Sequence, residues 1–391
     1  MLHCVDMGLI NRVIGNIKER RDRIISGRIN CIPMPFPRFR DVFPGIEQKR
    51  YFLISGATKS GKTQFTNYVF VYNTLMYAYY NPDKVHPTIF YYNLEEDEED
   101  ITLRFMCFLL YILSGIELST KELSSTDERK PLDPKVIEIL ESEKYQKIMK
   151  FYEEHVHFMS SRNPTGQWKD ITKYAEKHGK SYYEDIIYTD ELGVERKMKK
   201  FSHYVPDDPD EYVIIITDHV GLLEKEKDMK GLKDAIDKLS EYYIIFRNRY
   251  RYIPVVVQQQ NIETLGLDAV KADRIRPTIA GLADSKNTGK DCSVMFGITN
   301  PSSVDKQTDL GYDITKLKGR FRSLEVTVNR HGESNDICPM WFKGNVNFYK
   351  ELPLPNTPEL NAVYESLRPN TAKSFLIYSI KKVLNRLHGS E

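Results

Sequence analysis

The sequence of 391 residues predicts an α/β fold in which a mostly parallel sheet is covered by helices on both faces. Short apolar runs that fit buried strands alternate with longer stretches that fit helices, as in parallel strands joined by crossover helices. A phosphate-loop pattern also joins a predicted strand to a predicted helix at 64–80. The predicted strands occupy residues 51–55, 88–93, 156–159, 212–217, 253–257, 293–298 and 324–328.

The segments on either side of this pattern predict a division of the chain. Residues 1–30 are interpreted as an N-terminal linker of amphipathic basic helix ending near Gly27, because apolar residues recur at helical spacing among arginines and lysines. Residues 31–37 contain three prolines, which exclude a helix and predict a linker into the main domain at 31–352. Residues 353–391 are interpreted as a helical tail. Residues 180–210 are interpreted as an insertion with a hairpin turn at 191–193.

Composition limits the classes of function. The net charge of +1 gives no overall attraction to nucleic acid, so any such binding must come from local basic patches. The longest apolar stretch, 105–113, is too short to span a bilayer, and we expect a soluble intracellular protein. The five cysteines lack paired spacing, which predicts reduced thiols rather than a metal-thiolate site.

Residues 56–63 match the pattern G-x-x-x-x-G-K-[ST] at every fixed position. In this pattern the backbone N–H groups surround a phosphate, the lysine neutralises the β- and γ-phosphate oxygens, and the hydroxyl holds Mg²⁺. The sequence therefore predicts a site for ATP or another nucleoside triphosphate with Mg²⁺; the alternative is a glycine-serine loop with an incidental lysine. The predicted binding residues are Gly56, Ala57, Thr58, Lys59, Ser60, Gly61, Lys62 and Thr63.

Two carboxylates follow predicted strands. Asp218 ends the apolar run 212–217, and there a carboxylate can hold Mg²⁺ together with Thr63. Glu95 follows the strand at 88–93 and is the candidate general base that orients the attacking water. The alternative for Glu95 is that residues 95–100 are a solvated acidic helix start, where the helix dipole favours negative charge.

The order of these elements resembles the C-terminal ATPase domain of DnaB-type replicative helicases, which belong to the RecA-like class of phosphate-loop NTPases, over residues 30–352. Residues 93–96 resemble the S-L-E-M strand end of that family, which implies that Glu95 is the catalytic base. Residues 217–223 resemble its D-Y-L-Q-L-M segment, which contains the Mg²⁺-binding aspartate, here Asp218.

A third resemblance concerns the strand at 253–257. Residues 253–261 resemble the motif V-P-V-x-x-x-S-Q-L-N, whose glutamine senses the γ-phosphate. Alignment on Asn261 assigns this role to Gln259, whereas alignment on Pro254 assigns it to Gln260. We adopt Gln259 as the predicted catalytic residue and keep both alignments open.

Residues 276–285 and 291–296 resemble the DNA-binding loop of the family and the strand that follows it. This chain departs from the pattern, because Ala283 stands where the family has an arginine and Lys286 where it has a glycine. The resemblance and the local basic residues together predict DNA contacts from Lys271, Arg274, Lys286, Asn287 and Lys290. Lysines at 225, 227 and 230 are a second possibility.

Residues 328–332 resemble the K-Q-R-N-G segment, whose arginine reaches the ATP site of a neighbouring subunit. Arg330 keeps that position and is the predicted catalytic finger. Val328 replaces the lysine, so that part of the γ-phosphate coordination is missing or comes from Arg320 or Arg322.

The resemblance implies an ATP-dependent helicase that acts as a homohexameric ring on single-stranded DNA, with a primase or a helicase loader as a further partner. It also implies a cytoplasmic protein of a bacterial cell or a phage-infected host. One alternative is a RecA-like ATPase that works as a recombinase, a loader or a nucleotide-regulated DNA-binding protein without unwinding. Another is a non-catalytic assembly protein; the presence of Lys62, Thr63, Asp218 and Glu95 argues against it.

Overall fold

The computed structural model describes residues 9–189, 193–261 and 266–367. The strands are β1 Ile32–Pro33, β2 Gly45–Ile46, β3 Phe52–Gly56, β4 His86–Asn93, β5 Val156–Phe158, β6 Gly179–Thr189, β7 Glu195–Pro206, β8 Glu211–Asp218, β9 Ile253–Gln259, β10 Val294–Thr299, β11 Thr308–Asp309, β12 Tyr312–Asp313, β13 Phe321–Asn329, β14 Ile337–Lys343 and β15 Phe348–Glu351.

The helices are α1 Leu9–Ile25, α2 Lys62–Thr66, α3 Asn73–Tyr80, α4 Glu98–Ser114, α5 Thr120–Leu123, α6 Pro134–Glu141, α7 Glu143–His155, α8 Pro164–Lys177, α9 Leu232–Ile245, α10 Leu267–Lys271, α11 Asn287–Asp291, α12 Ile314–Leu317 and α13 Pro358–Ser366. A π-helical segment, Asn67–Tyr72, joins α2 to α3, so the helix predicted at 64–80 is continuous but not regular. No helix among the described residues is long and apolar enough to cross a bilayer.

Nine strands form one sheet in the order β5-β4-β8-β9-β3-β10-β13-β14-β15. The six strands from β5 to β10 pair in parallel, and β13, β14 and β15 extend the sheet in antiparallel fashion. The predicted α/β fold with a mostly parallel sheet is confirmed. The register places Gly56 opposite Gln259 and Asn93 opposite Asp218, so the carboxyl ends of β3, β9, β4 and β8 lie at one edge.

Helices cover both faces of the sheet. On one face, α2, α3, α4 and α7 pack their apolar side chains against the strands, with Phe65 and Phe105 among the buried residues. On the other face, α8 and α9 do the same, and Tyr243 and Phe246 are fully buried there. Because each face has its own core, the central parallel strands are covered by helices on both sides. Their carboxyl ends are therefore accessible only at the edge of the sheet.

The prediction that residues 31–37 form a linker between domains is wrong. Ile32, Met34 and Phe36 are fully buried in the core beneath the first face, and β1 pairs with β2. The prolines exclude a helix, as expected, but they alternate with apolar residues, and this alternation places every second side chain in the core.

Two peripheral segments, the β6–β7 hairpin and helix α13, lie outside the nine-stranded sheet. Strands β6 and β7 pair only with each other, and Arg249 lies over Phe201 at the base of this hairpin, 4.4 Å from the ring centre. The turn predicted at 191–193 lies partly outside the described residues. Helix α13 packs on a small core with Tyr312 and Phe321, whereas the helical tail predicted after residue 371 lies outside the described residues.

Candidate nucleotide-binding site

The loop between β3 and α2 has the backbone that the phosphate-loop pattern predicts. Gly61 has φ +98°, a left-handed conformation that favours glycine, and Lys59 also has positive φ at +61°. At Gly56 a Cβ atom would lie 2.5 Å from the carbonyl oxygen of Ile298 on the adjacent strand. Gly56 is therefore required by the packing of the loop, and Gly61 by its backbone conformation.

Lys62 begins helix α2 and is largely buried, with 7% of its surface exposed. Its Nζ donates a hydrogen bond of 2.9 Å to the carbonyl oxygen of Ala57 within the loop. Burial lowers the pKa of the ammonium group to about 8, although the nearby carboxylates of Asp218 and Glu95 oppose this shift. The pKa is thus nearer to neutrality than that of an ordinary lysine, and an anionic phosphate would favour the charged form of the group.

Asp218 lies at the end of β8 and is 2% exposed. The Tyr91 hydroxyl lies 3.5 Å from its Oδ2, and its Oδ1 has no hydrogen-bond partner. Burial raises the pKa of the carboxyl to about 7; Thr63 and Lys62 lower it, while Glu95 adds to the increase. A buried carboxylate with an unpartnered oxygen is poorly stabilised in the protein alone.

These features fit a Mg²⁺ ion. The Thr63 hydroxyl and the Asp218 carboxylate are oxygen ligands of the kind that Mg²⁺ prefers, and the unpartnered Oδ1 needs a positive charge. No cluster of three or more His, Cys, Asp or Glu side chains suited to a metal occurs among the described residues. A Mg²⁺ ion here would therefore complete its shell with phosphate and water oxygens, as is usual for this ion.

The two glutamates after β4 have different surroundings. Glu96 is engaged by Arg104, with two N–O distances of 2.5 and 2.6 Å. The Glu95 side chain is 56% exposed, and its carboxylate lies 3.8 Å from Nε2 of His219. Only Glu95 is thus available to a water molecule near Lys62 and Asp218, which agrees with its choice as the candidate base.

His219 is a neighbour that the sequence did not reveal. It follows Asp218, and its Nδ1 accepts a hydrogen bond of 3.2 Å from the backbone N–H of Gly221. This bond leaves the ring proton on Nε2, which faces Glu95. Burial lowers the pKa of His219, so the imidazole is neutral at neutral pH, and at 3.8 Å it lies near Glu95 without a hydrogen bond to it.

The three consecutive glutamines at the end of β9 point to different places. Gln258 donates to the carbonyl oxygens of Ala283 and Ser285, at 2.5 and 2.7 Å. Gln260 donates to Ser55 and Thr278.

Gln259 instead accepts a hydrogen bond of 3.4 Å from the Thr58 hydroxyl in the phosphate loop. The geometry therefore favours Gln259 over Gln260 as the residue that faces a γ-phosphate.

The three arginines considered for phosphate contacts differ in position. Arg330 is exposed just beyond β13, beside the amino end of β10, where its Nη2 donates to the Lys290 carbonyl oxygen. The phosphate loop lies at the other end of β10, roughly 15 Å away at the usual rise per strand residue. Arg330 therefore cannot reach the nucleotide site of its own chain. Arg320 is exposed, whereas Arg322 is buried against the phosphate loop.

The structure separates the predicted DNA-binding residues into two groups. Lys271, Arg274, Lys286 and Lys290 have exposed side chains. Asn287 is half-buried, and its side-chain amide donates to Asp237 at 2.9 Å.

Arg276, which lies in the same basic segment, is not exposed for such contacts. It pairs with the buried Asp309 at 3.0 Å and donates to the Ser323 hydroxyl on β13, and Lys306 joins Asp309 to Asp273. Arg276 thus fastens the loop to β13, and the exposed charge of this segment comes from its lysines and from Arg274.

A cavity of about 490 Å³ lies beside the start of α2. Its lining includes Gly319, Arg320, Phe342 and Gly344 but no residue of the phosphate loop, and a Cβ on Gly344 would lie 3.9 Å from the Gln64 side chain in α2. The volume suits a small organic ligand, and the lining combines aromatic rings with basic side chains and with the acidic Glu117 and Glu351.

The sequence matches no family model and no curated protein. Two solved structures resemble it in fold. One is an ATPase domain, which superimposes with a TM-score of 0.60 at 14% identity, over 89% of this chain and all of that one. A DnaB-like replicative helicase, described with its interactions with primase, superimposes with a TM-score of 0.58 at 13% identity, over 88% of this chain and 67% of that one. The chain thus has the RecA-like fold of DnaB-type helicase ATPase domains.

Proposed function

We propose that this protein is an ATP-hydrolysing motor of the DnaB helicase type, which moves along single-stranded DNA as a ring of six copies and separates duplex strands. The observation that carries the proposal is the convergence of five side chains at the carboxyl edge of the sheet. These are Lys62, Thr63, Glu95, Asp218 and Gln259. They provide the charge neutralisation, metal ligands, base and γ-phosphate sensor that phosphoryl transfer to water requires.

Each side chain has a defined task in this proposal. When the nucleotide binds, the Lys62 ammonium group leaves the Ala57 carbonyl oxygen and contacts phosphate oxygens instead. Gln259 likewise leaves the Thr58 hydroxyl and contacts the γ-phosphate. Glu95, which lies near His219, accepts a proton from the attacking water. A Mg²⁺ ion held by Thr63 and Asp218 would neutralise charge on the phosphate oxygens.

The nucleobase is assigned to the cavity beside α2. In its wall the exposed Arg320 guanidinium lies 5.9 Å from the centre of the Trp341 ring, and both groups can stack on a planar base. Trp341 also lines this cavity, so its fluorescence offers a direct signal of nucleotide binding.

Two exposed features support assembly with a neighbouring copy. Arg330 lies too far from its own phosphate loop, but its exposure suits a finger supplied in trans. Helix α1 carries Ile10, Val13, Ile14 and Ile17 along one face, all exposed in the single chain. An apolar helical face of this kind is stable when it packs against another subunit.

Helix α1 is also fixed at its base, where Arg23 pairs with the buried Asp210 at 2.5 Å. The described side chains from Ile10 to Asp22 are all exposed, so this part of the helix lies outside the core of its own subunit and is available to a neighbour. A ring built in this way would bring six copies of the exposed Lys271, Arg274 and Lys286 to one channel, where modest charge per subunit adds up along a DNA backbone.

The test is electron microscopy of the protein with an ATP analogue and single-stranded DNA, together with an unwinding assay on a forked duplex. A six-membered ring around a strand and ATP-dependent strand separation are expected. ATPase activity without strand separation would instead favour a recombinase, a loader or a nucleotide-regulated DNA-binding protein. Absence of nucleotide binding would overturn both assignments.

A further inference from the structure

Arg322 is a buried cation that is hydrogen-bonded to a backbone carbonyl oxygen of the phosphate loop. It lies on β13 with only 5% of its surface exposed. Its Nε donates a hydrogen bond of 2.7 Å to the carbonyl oxygen of Ser60, and its Nη1 donates to the carbonyl oxygens of Gly319 and Phe321 at 2.9 and 2.7 Å. The guanidinium also stacks on Phe342, 4.6 Å from the ring centre.

This guanidinium has no carboxylate partner among the described residues. Arg276, which also contacts β13, shows the usual alternative, because it is paired with Asp309. Burial without a counterion lowers the pKa of Arg322, and a buried unpaired charge is costly to the protein. A charge retained at such a cost indicates an anion that the protein alone does not supply.

Two neutral groups hold the same loop and helix start. The Tyr349 hydroxyl donates to the Gly61 carbonyl oxygen at 2.9 Å, and the Asn347 amide donates to the Gln64 carbonyl oxygen at 2.8 Å. Neutral side chains can therefore donate hydrogen bonds to the carbonyl oxygens of this loop and helix start, and a charged group is not needed for that purpose. Compared with Tyr349 and Asn347, Arg322 adds a fixed positive charge beside the loop.

We propose that Arg322 is a positioning residue of the nucleotide site in its own subunit. It fixes the Ser60 carbonyl so that the loop keeps its N–H groups towards the phosphates, and its unpaired charge behind the loop increases affinity for the phosphate chain. In a buried setting such a charge is weakly screened, so its effect grows with the number of phosphates. This inference rests on the part of the proposed function that assigns a nucleoside triphosphate to the loop.

The experiment compares binding of ATPγS and ADP to the full chain by calorimetry for Arg322→Met, Arg322→Lys and Tyr349→Phe. Arg322→Met is expected to weaken ATPγS binding by about tenfold or more, and ADP binding by less. Arg322→Lys retains the charge and should stay within about threefold of the wild type. Tyr349→Phe, the matched loss of a neutral hydrogen bond, should also stay within about threefold.

Thermal unfolding of the nucleotide-free variants separates an electrostatic role from a structural one. Arg322→Met removes an unpaired buried charge but also leaves the carbonyl oxygens of Ser60, Gly319 and Phe321 without this donor, so the two effects oppose each other and the melting temperature should change little. Wild-type affinity in Arg322→Met, or equal weakening in Met and Lys variants with lowered melting temperatures, would overturn the inference. Because binding is measured, a lack of strand separation would count against the helicase proposal alone, whereas a wild-type protein that does not bind ATPγS would reject both.

Discussion

Arg322 and Arg330 lie at opposite ends of strand β13, and they face two different surroundings. Arg322 is buried and bonded to the phosphate loop of its own chain, whereas Arg330 is exposed beyond the other end of the strand. Strand β13 is hydrogen-bonded to β10 on one side and to β14 on the other, so it is held as a rigid element. If Arg330 reaches the nucleotide of a neighbouring subunit, β13 connects two successive nucleotide sites.

The first prediction separates nucleotide binding from hydrolysis. Lys62→Ala should lose both, because the lysine supplies the main positive charge inside the loop. Glu95→Gln should still bind ATP but lower kcat by about a hundredfold or more, because the amide cannot accept a proton from water. The measurements are nucleotide binding by Trp341 fluorescence and steady-state phosphate release.

Glu96→Gln is the matched control for Glu95→Gln. Since Glu96 is engaged by Arg104, its loss should affect stability more than kcat. A Glu95→Gln protein with nearly wild-type kcat, or a larger loss of kcat in Glu96→Gln, would show that Glu95 is not the base.

Sequence and structure differ in how much they reveal about this site. The phosphate loop, Asp218 and Glu95 could be predicted because each depends on a local pattern at a strand end. The choice between Gln259 and Gln260 could not be made from the motif, because it depends on which side chain turns towards Thr58 and which towards Ser55. That distinction follows from strand pairing rather than from spacing.

Arg322 and His219 show a second reason why part of the site could not be predicted from the sequence. The contact of Arg322 with Ser60 exists only because β13, β14 and β15 extend the parallel sheet beside the loop, and no local pattern predicts that neighbour. The position of His219 near Glu95 likewise requires the pairing of β4 with β8. The alternation of apolar residues in the segment at 31–37 is typical of a buried extended strand, but three prolines in seven residues are equally typical of an exposed linker.

The second prediction concerns the finger in trans. Arg330→Ala should lower kcat by about a thousandfold while each subunit still binds ATP, since the residue is remote from its own loop. Mixing Arg330→Ala protein with Lys62→Ala protein should restore part of the activity, because some interfaces then pair an intact arginine with an intact lysine. ATPase assays of mixtures at fixed total concentration measure this. A monomeric protein with undiminished ATPase activity would exclude the arrangement.

The third prediction concerns helix α1. Ile10→Ser with Ile17→Ser should weaken the ring without unfolding the subunit, because both side chains are exposed in the single chain. Sedimentation at falling protein concentration measures assembly, and the melting temperature of the dissociated subunit should be nearly unchanged. As a control, Lys18→Ser changes the same helix outside its apolar face. Hexamers of equal stability in all three proteins would show that α1 does not hold the neighbour.

The fourth prediction concerns DNA. Lys286→Ala with Lys290→Ala should weaken binding of single strands similarly for all sequences, because phosphate contacts carry no sequence information. The slope of log K against log salt should become shallower by about 1 for each lysine–phosphate pair that the substitutions remove. A salt titration with labelled oligonucleotides measures it. Lys225→Ala with Lys227→Ala is the control of equal charge, and a changed slope in the control alone would move the DNA path to that segment.

The fifth prediction follows from the carboxyl of Asp218. Burial raises its pKa to about 7, above the value near 3.8 of an unperturbed aspartate, so the folded protein holds this proton more tightly than the unfolded chain does. The cost of ionising Asp218 is therefore absent at low pH and develops as the pH rises from about 4 to about 7. Asp218→Asn should accordingly raise the melting temperature of the nucleotide-free protein by about 3 °C or more at pH 8.

At pH 5 the Asp218→Asn change should shift the melting temperature much less, because the wild-type carboxyl is then largely protonated and already neutral. Asp284→Asn, which changes an exposed carboxylate in the same part of the fold, is the matched control for the loss of a negative charge. Mg²⁺ and ATPγS should stabilise the wild type at pH 8 but not Asp218→Asn to the same extent, since the ion supplies the charge that the unpartnered Oδ1 lacks. An equal shift of Asp218→Asn at both pH values would show that the carboxyl is ionised throughout, and the buried oxygen would then have a partner other than a metal ion.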